Sequence, residues 1–252
     1  MVTRKVLLLY FMVLCSTVCY SQKPRSGISG DHLIKTRWSG SEPFNSAVPG
    51  GHTLGCHSVA IAQVLFHHKL IPHGTVEYQC SNDLVIERDF TGYDPDLDSL
   101  ALSVDDLERR IALTSEYLFN TAAIIKKDFG TEQYLESEDH HKSQIEFHFS
   151  CQYKAYPKAV ESDLSSVLKR ENGFYSIIFS EIAARRPAGF YYSNNKGGGH
   201  AVVIDGCQSQ GGKIYVHANF GWGGKADGWY CLEEDLPKDL QLVLLITIKP
   251  DP

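Results

Sequence analysis

Residues 197–224 read GGGHAVVIDGCQSQGGKIYVHANFGWGG, and the arrangement of the rest of the chain follows from them. Residues 201–204 are wholly apolar and residues 213–218 alternate, and glycine-containing turns bound both, as in a pair of β-strands. His200 stands where the first strand begins and Asn219 where the second ends. An antiparallel return therefore brings an imidazole and an amide toward one sheet edge. A base with a polar orienter lacks only a nucleophile, and Cys56, in GCHSVAIAQ at 55–63, supplies one.

The chain opens with Arg4 and Lys5, an apolar run over 6–18, and small residues before Gln22. Basic, apolar and small in that order is the pattern of a secretory signal peptide, with cleavage expected after Ser21. The run falls short of the roughly 20 apolar residues of a membrane span, so no stable membrane anchor is expected. The division is then a signal peptide over 1–21 and one domain over 22–252, exported to an extracellular or periplasmic space. Cleavage removes two of the 24 basic residues and none of the 30 acidic ones, moving the net charge from −6 to −8. With no basic stripe to attract phosphates, nucleic acid is excluded as an expected partner. Cys56, Cys80, Cys151, Cys207 and Cys231 lie beyond the cleavage point. An oxidising compartment allows one free thiol and two disulfides of undetermined connectivity. Small buried hydrophobes are the other reading of the same residues.

Residues 56–69 lack Gly and Pro and carry apolar residues at helical spacing, so a buried central helix is expected with Cys56 in its first turn. Residues 73–102 read as loops and short strands, with Trp38 upstream as an apolar anchor. Ser103 to Asp106 resembles a capping box opening an amphipathic helix lined by Leu107, Ile111, Tyr117, Leu118, Ala122 and Ile125, with Gly130 as its stop. Further helices are expected over 143–150, 159–170 and 175–185, then strands over 189–192, 228–232 and 240–249. Helices first and antiparallel strands afterwards indicate an α+β fold with segregated layers.

A thiol attacks as the thiolate, and its free pKa of about 8.5 leaves little of it ionised at neutral pH. A helix N-terminus and a neighbouring imidazolium both lower that pKa, and Cys56 has the first while His200 can supply the second. His200 follows Cys56 by 144 positions. No metal or cofactor is expected: His67 and His68 are adjacent, no HExxH is present, and His52 and His57 complete no ligand set with them. His57 reads as a surface or supporting residue, His140 and His141 as part of a solvated acidic loop, and Asp205 as a turn residue. The glycines at 197–199 read as a flexible rim near His200, and Gly223 and Gly224 likewise.

GCHSVAIAQVLFHHK at 55–69, GGHAVVIDGC at 198–207 and YVHANFGWGGKADGWYCL at 215–232 resemble the nucleophile and histidine segments of the streptopain family of secreted papain-fold cysteine peptidases. RPAGFYYSNNKGGGH at 186–200 is similar to that family's approach to the histidine, and ITIKP at 246–250 to its ending. The resemblance implies a papain-like fold in which a central helix carrying Cys56 faces an antiparallel sheet carrying His200. It also implies endopeptidase activity on protein or peptide substrates without a metal. Cys56 then aligns with the nucleophile, His200 with the general base and acid, and Trp222 with an aromatic beside the site. Asn219 fits a Cys–His–Asn arrangement, and Gly199, Trp222 and Gly223 are expected to border bound substrate.

Four departures accompany the resemblance. Phe220 stands where the family usually has tryptophan. Gly50 occupies the place, six residues before the cysteine, of an oxyanion-hole glutamine in papain-like enzymes. The loop over 136–141 is acidic. Only 34 residues separate Ser21 from Cys56, too few for the family's usual inhibitory prodomain, so the chain is expected either to be held in check by a separate proteinaceous inhibitor or to be secreted unguarded. A catalytically weak or inactive relative that binds peptides or inhibitors is the alternative to a peptidase. Amide hydrolysis or acyl transfer on cell-wall peptides is a third reading.

Overall fold

Every second residue of the strand Gly199–Gln210 is apolar toward a different partner: Ala201 and Val203 join one buried cluster, Val202 and Ile204 another. That alternation is the two-residue period of a strand whose two faces are both covered. The computed structural model describes residues 23–252 except 132, 162, 195 and 197. The signal-peptide expectation, Cys15, Cys19 and Gly197 lie outside the described residues.

The elements in order are α1 (Cys56–His67), β1 (Thr75–Gln79), β2 (Val85–Asp89), α2 (Glu108–Ile124), α3 (Glu138–Phe149), β3 (Cys151–Ala159), α4 (Leu164–Leu168), α5 (Phe174–Ala183), β4 (Ala188–Asn194), β5 (Gly199–Gln210), β6 (Lys213–Asn219), β7 (Gly228–Tyr230), α6 (Leu232–Asp235) and β8 (Leu240–Pro250). β1 and β2 form a separate hairpin, and the other strands form one sheet in the order β3-β8-β4-β5-β6-β7, antiparallel throughout. The fold is therefore α+β with an antiparallel sheet. α1, α2 and the 34–54 segment cover one face, around Trp38, Leu65, Tyr117 and Phe129, and α5 with the short α4 and α6 covers the other. Among the described residues no helix is long and apolar enough to cross a membrane.

α1 is apolar nearly all round, with Val59 to Leu65 buried, because it lies between α2 and the sheet. Trp38, fully buried, donates from Nε1 to the Ala101 carbonyl at 2.6 Å and anchors the incoming chain.

Some expected elements differ. The capping box does not form: the cap of α2 is Leu107, and the Asp106 carboxylate instead accepts the N–H groups of Leu102 and Ser103 in the turn before it. α3 starts at Glu138, capped by the Ser137 hydroxyl, so His140 and His141 are helical and His141 is buried. The expected helix over 159–170 shrinks to the five residues of α4, and β3 was not anticipated at all. None of the five described cysteines is in a disulfide. Burial pushes Cys80 and Cys231 up and takes Cys151 and Cys207 to about 12, as expected of small hydrophobes.

Candidate active site

α1 begins at Cys56 because Gly55 ends the extended approach at φ +79°, and a Cβ there would lie 2.8 Å from Tyr134 Oη and 3.1 Å from Lys127 Cε. First-turn N–H groups find no carbonyl inside their own helix. Tyr134 Oη accepts that of Ser58 at 3.1 Å. The Cys56 thiol opens this turn, half-exposed and outside any disulfide.

His200 is the second residue of β5, paired across the ladder with Tyr192 of β4. Its ring lies 4.5 Å from that of Trp222, 5.8 Å from and nearly parallel to that of Phe220, and 6.4 Å from that of Tyr192. Nε2 meets the Phe220 carbonyl oxygen at 2.9 Å. A carbonyl can only accept, so Nε2 carries the proton and the lone pair is on Nδ1. Burial pushes the His200 pKa down to about 4 against the opposing effect of the Phe220 bond, so the ring is neutral at neutral pH.

Cys56 lies within electrostatic reach of two tyrosines of β4. The phenols of Tyr191 and Tyr192 have raised pKa values, chiefly through burial and further through their nearness to Cys56. The chain over 38–40 laces the two sides together. Gly223 N–H donates to the Trp38 carbonyl at 3.0 Å, Ser39 bridges Trp222, and Leu54 N–H donates to the Gly40 carbonyl at 2.9 Å, two residues before Cys56. Gly221, at φ +66°, sits where a Cβ would be 3.1 Å from Val59 of α1.

Asn219 does not orient His200 directly. β6 meets β5 in the register Val203↔Asn219, three residues short of the histidine, and the chain that continues past the ladder reaches the imidazole with the Phe220 carbonyl. The buried Asn219 amide instead ties three segments together. Its Nδ2 donates to the Thr36 carbonyl at 2.7 Å, and its Oδ1 accepts from Gln63 Nε2 at 3.2 Å and from Gly221 N–H at 3.0 Å. Thr36 Oγ1 closes the loop by donating to Gln63 Oε1 at 2.6 Å. From the other side, Asp227 Oδ1 accepts the Phe220 N–H at 2.8 Å. Burial raises the Asp227 pKa to about 6, partly offset by that bond. The orienting group is thus a backbone carbonyl clamped by Asn219 and Asp227.

Gly199 is a packing requirement, since a Cβ there would fall 2.6 Å from the Tyr192 carbonyl oxygen and 2.8 Å from Tyr191 Oη. Gly223, at φ +69°, has open space where a Cβ would go, and the Trp222 ring beside His200 is exposed. These two form an accessible rim. Gly50 lies in a short 3-10 turn at φ +70° and offers no side-chain donor. Asp205 is no turn residue: fully buried in β5, it accepts from the Ile34 N–H at 2.9 Å and pairs with His217 Nδ1 at 2.6 Å. His57 is buried, not a surface residue, and burial pushes its pKa down to about 4.

Comparison with known proteins gives a consistent picture. The profile of the peptidase C10 family matches residues 38–230. Streptopain of Streptococcus pyogenes serotype M28 (strain MGAS6180) is 40% identical over 65 residues, 26% of this chain and 15% of that protein. Streptopain of serotype M1 is 40% identical over 63 residues, 25% of this chain and 15% of that protein. The aligned stretch thus spans about a seventh of these curated relatives' length. Among solved structures, active wild-type interpain A, a cysteine protease of Prevotella intermedia, superposes with a TM-score of 0.68 at 20% identity, covering 85% of this chain and 93% of that one. A prointerpain A fragment from the same organism, carrying a cysteine-to-alanine mutation, gives 0.66 at 19% identity, covering 85% of this chain and 70% of that one. These two matches establish the fold.

Proposed function

Because the chain belongs to the peptidase C10 family, we propose that it is a cysteine endopeptidase in which Cys56 is the nucleophile and His200 the general base and acid. The observation that carries this reading is the bond from His200 Nε2 to the Phe220 carbonyl. It fixes the tautomer, so that the basic nitrogen, Nδ1, is the one available to a thiol.

In the proposed cycle His200 Nδ1 takes the Cys56 proton. The resulting thiolate is favoured by the N-terminal end of α1 and by the imidazolium beside it. Sγ attacks the scissile carbonyl, and the oxyanion forms next to the Cys56 backbone N–H at the helix start. His200 returns the proton to the departing amine, leaving an acyl-enzyme. Water, deprotonated by His200, then hydrolyses the thioester and restores the thiol. An imidazole with a pKa near 4 is a weak proton acceptor by itself, so the proton transfer depends on the thiolate being formed within reach. Asn219 acts on the turn that presents the Phe220 carbonyl, and Gly199, Trp222 and Gly223 line the substrate's approach. The basic and apolar start of the chain, residues 4–18, supports export.

Residues 22–252 provide the test. An epoxide inhibitor of papain-like enzymes should label Cys56 in preference to Cys80, Cys151, Cys207 and Cys231, and Cys56→Ala should abolish casein hydrolysis. Casein hydrolysis that survives Cys56→Ala would refute the assignment. Gly50, which withholds a second oxyanion donor, favours an inactive peptide-binding relative as the second reading, and a chain that binds casein without cutting it would establish that one.

A further inference from the structure

The residue after Cys56 belongs to a second cluster, assembled from parts of the chain some eighty positions apart. His57 projects from the first turn of α1, while Glu138 and His141, three apart, share one face of the first turn of α3. Glu138 Oε2 lies 3.8 Å from His57 Nε2 and 3.7 Å from His141 Nδ1, and the three donor atoms lie within 4.8 Å of one another. These separations exceed hydrogen-bonding distance. His57 Nε2 and both ring nitrogens of His141 are buried without a hydrogen-bond partner, His57 being 9% exposed and His141 5%. Buried polar atoms left unsatisfied are destabilising, and two of these, His57 Nε2 and His141 Nδ1, face Glu138 Oε2 and call for an occupant.

We propose that His57 Nε2, Glu138 Oε2 and His141 Nδ1 bind a divalent first-row transition-metal ion, zinc foremost. Two imidazoles and one carboxylate are a donor set suited to that class, whereas calcium and magnesium take oxygen-rich shells. Metal–ligand distances of about 2.0–2.2 Å place tetrahedral ligands roughly 3.4 Å apart. The two separations to Glu138 Oε2 need to close by only a few tenths of an ångström, and the third, within 4.8 Å, by no more than about 1.4 Å. The surroundings suit it too. Tyr153 Oη donates to Glu138 Oε1, which leaves Oε2 toward the histidines, the kind of outer-shell bond that orients a carboxylate ligand. The Tyr134 ring lies edge-on to both imidazoles, at 5.5 Å and 5.4 Å. Glu138 remains partly exposed and gives the ion a way in. A bound ion would cross-link α3 to the first turn of α1 directly behind Cys56, so metal occupancy would stiffen the helix start that presents the thiol.

The experiment uses residues 22–252 in a Cys56→Ala background, which removes Cys56 as a competing ligand. After chelation and dialysis, titration with ZnCl2 by calorimetry should show a single ion bound per chain, and CoCl2 should give visible d–d absorption without a thiolate band. Melting temperature should rise with zinc concentration. Glu138→Gln and His141→Gln should each weaken zinc at least about 100-fold, and Tyr153→Phe by about 10–100-fold, with metal-free circular dichroism unchanged. Glu138→Gln is close to isosteric, and the melting shift of the unmutated cluster provides a separate readout. Absence of saturable binding, as when only a water fills the site, would overturn the proposal. So would binding that is unaltered by Glu138→Gln and His141→Gln, or that is lost instead in His217→Ala, which disrupts a second group formed by His32, Asp205 and His217.

Discussion

Replacing Asp227 isolates the support of the orienting carbonyl from the chemistry itself. Its Oδ1 accepts the N–H of the buried Phe220 at 2.8 Å, and 2.9 Å separates the Phe220 carbonyl oxygen from His200 Nε2. Asp227→Ala strands that N–H, at a cost of about 1–3 kcal/mol. It also frees the turn to move, and a displacement of about 1 Å at a positioning group costs up to ~100-fold in rate. We expect kcat to fall roughly 10- to 100-fold with KM little changed, because substrate does not touch the carboxylate. Asp227→Asn keeps an oxygen in place and should retain most of kcat. It should also alter the pH dependence of stability. The folded pKa of about 6 lies above the ordinary 3.8, so the wild type is penalised as pH rises through that interval and the asparagine variant is not. After discounting for partial exposure, the variant should gain about 1–2 kcal/mol relative to wild type between pH 4 and 7. Urea denaturation at several pH values and steady-state hydrolysis of a peptide substrate measure both effects. An Asp227→Ala enzyme with wild-type kcat, or an Asn variant as impaired as the Ala variant, would refute the clamp.

Gly199→Ala places a methyl 2.6 Å from the Tyr192 carbonyl oxygen and should cost about 1–3 kcal/mol and most of the activity. Gly223→Ala, which meets nothing and bears only the cost of its positive φ, should lose about 1 kcal/mol and keep kcat. Thermal melts and kinetics of the two variants side by side check the contrast. His68 and His200 are both held near pKa 4, chiefly by burial, so the unfolded chain binds more protons than the folded one between pH 6.5 and 4. Stability should therefore fall across that window, by roughly 1–2 kcal/mol per partly exposed group. His68→Gln should flatten the urea midpoint's dependence on pH.

Much of the scaffold was legible because periodicity reports burial. α1, α2, β5 and β6 follow from apolar spacing, and Cys56 and His200 from their places at element starts. β3 was missed for a reason visible in its sequence, CQYKAYPKA. Pro157 argues against a strand, yet β3 lies at the sheet edge, paired on one side only, where a missing N–H is tolerated. The false capping box has a similar origin, since Ser and Asp satisfy turn N–H groups as readily as helix ones. The orienting group was invisible because it is a carbonyl, which every residue has. Only the register ending at Asn219 shows that Phe220 supplies it. Asp205 meets His217 through the register of the β5–β6 hairpin, whereas the meeting of His57 with Glu138 and His141 depends on tertiary packing, which no local pattern encodes.

β8, residues 240–250, lies inside the sheet between β3 and β4 although it is the last strand in the chain. During translation the edge strand β3 therefore has no strand to pair with until β8 has been made. A nascent chain stalled before that point carries both Cys56 and His200 but has a split sheet and an uncovered apolar face. The sheet that presents the histidine is thus joined across β3 and β4 only when β8 is in place.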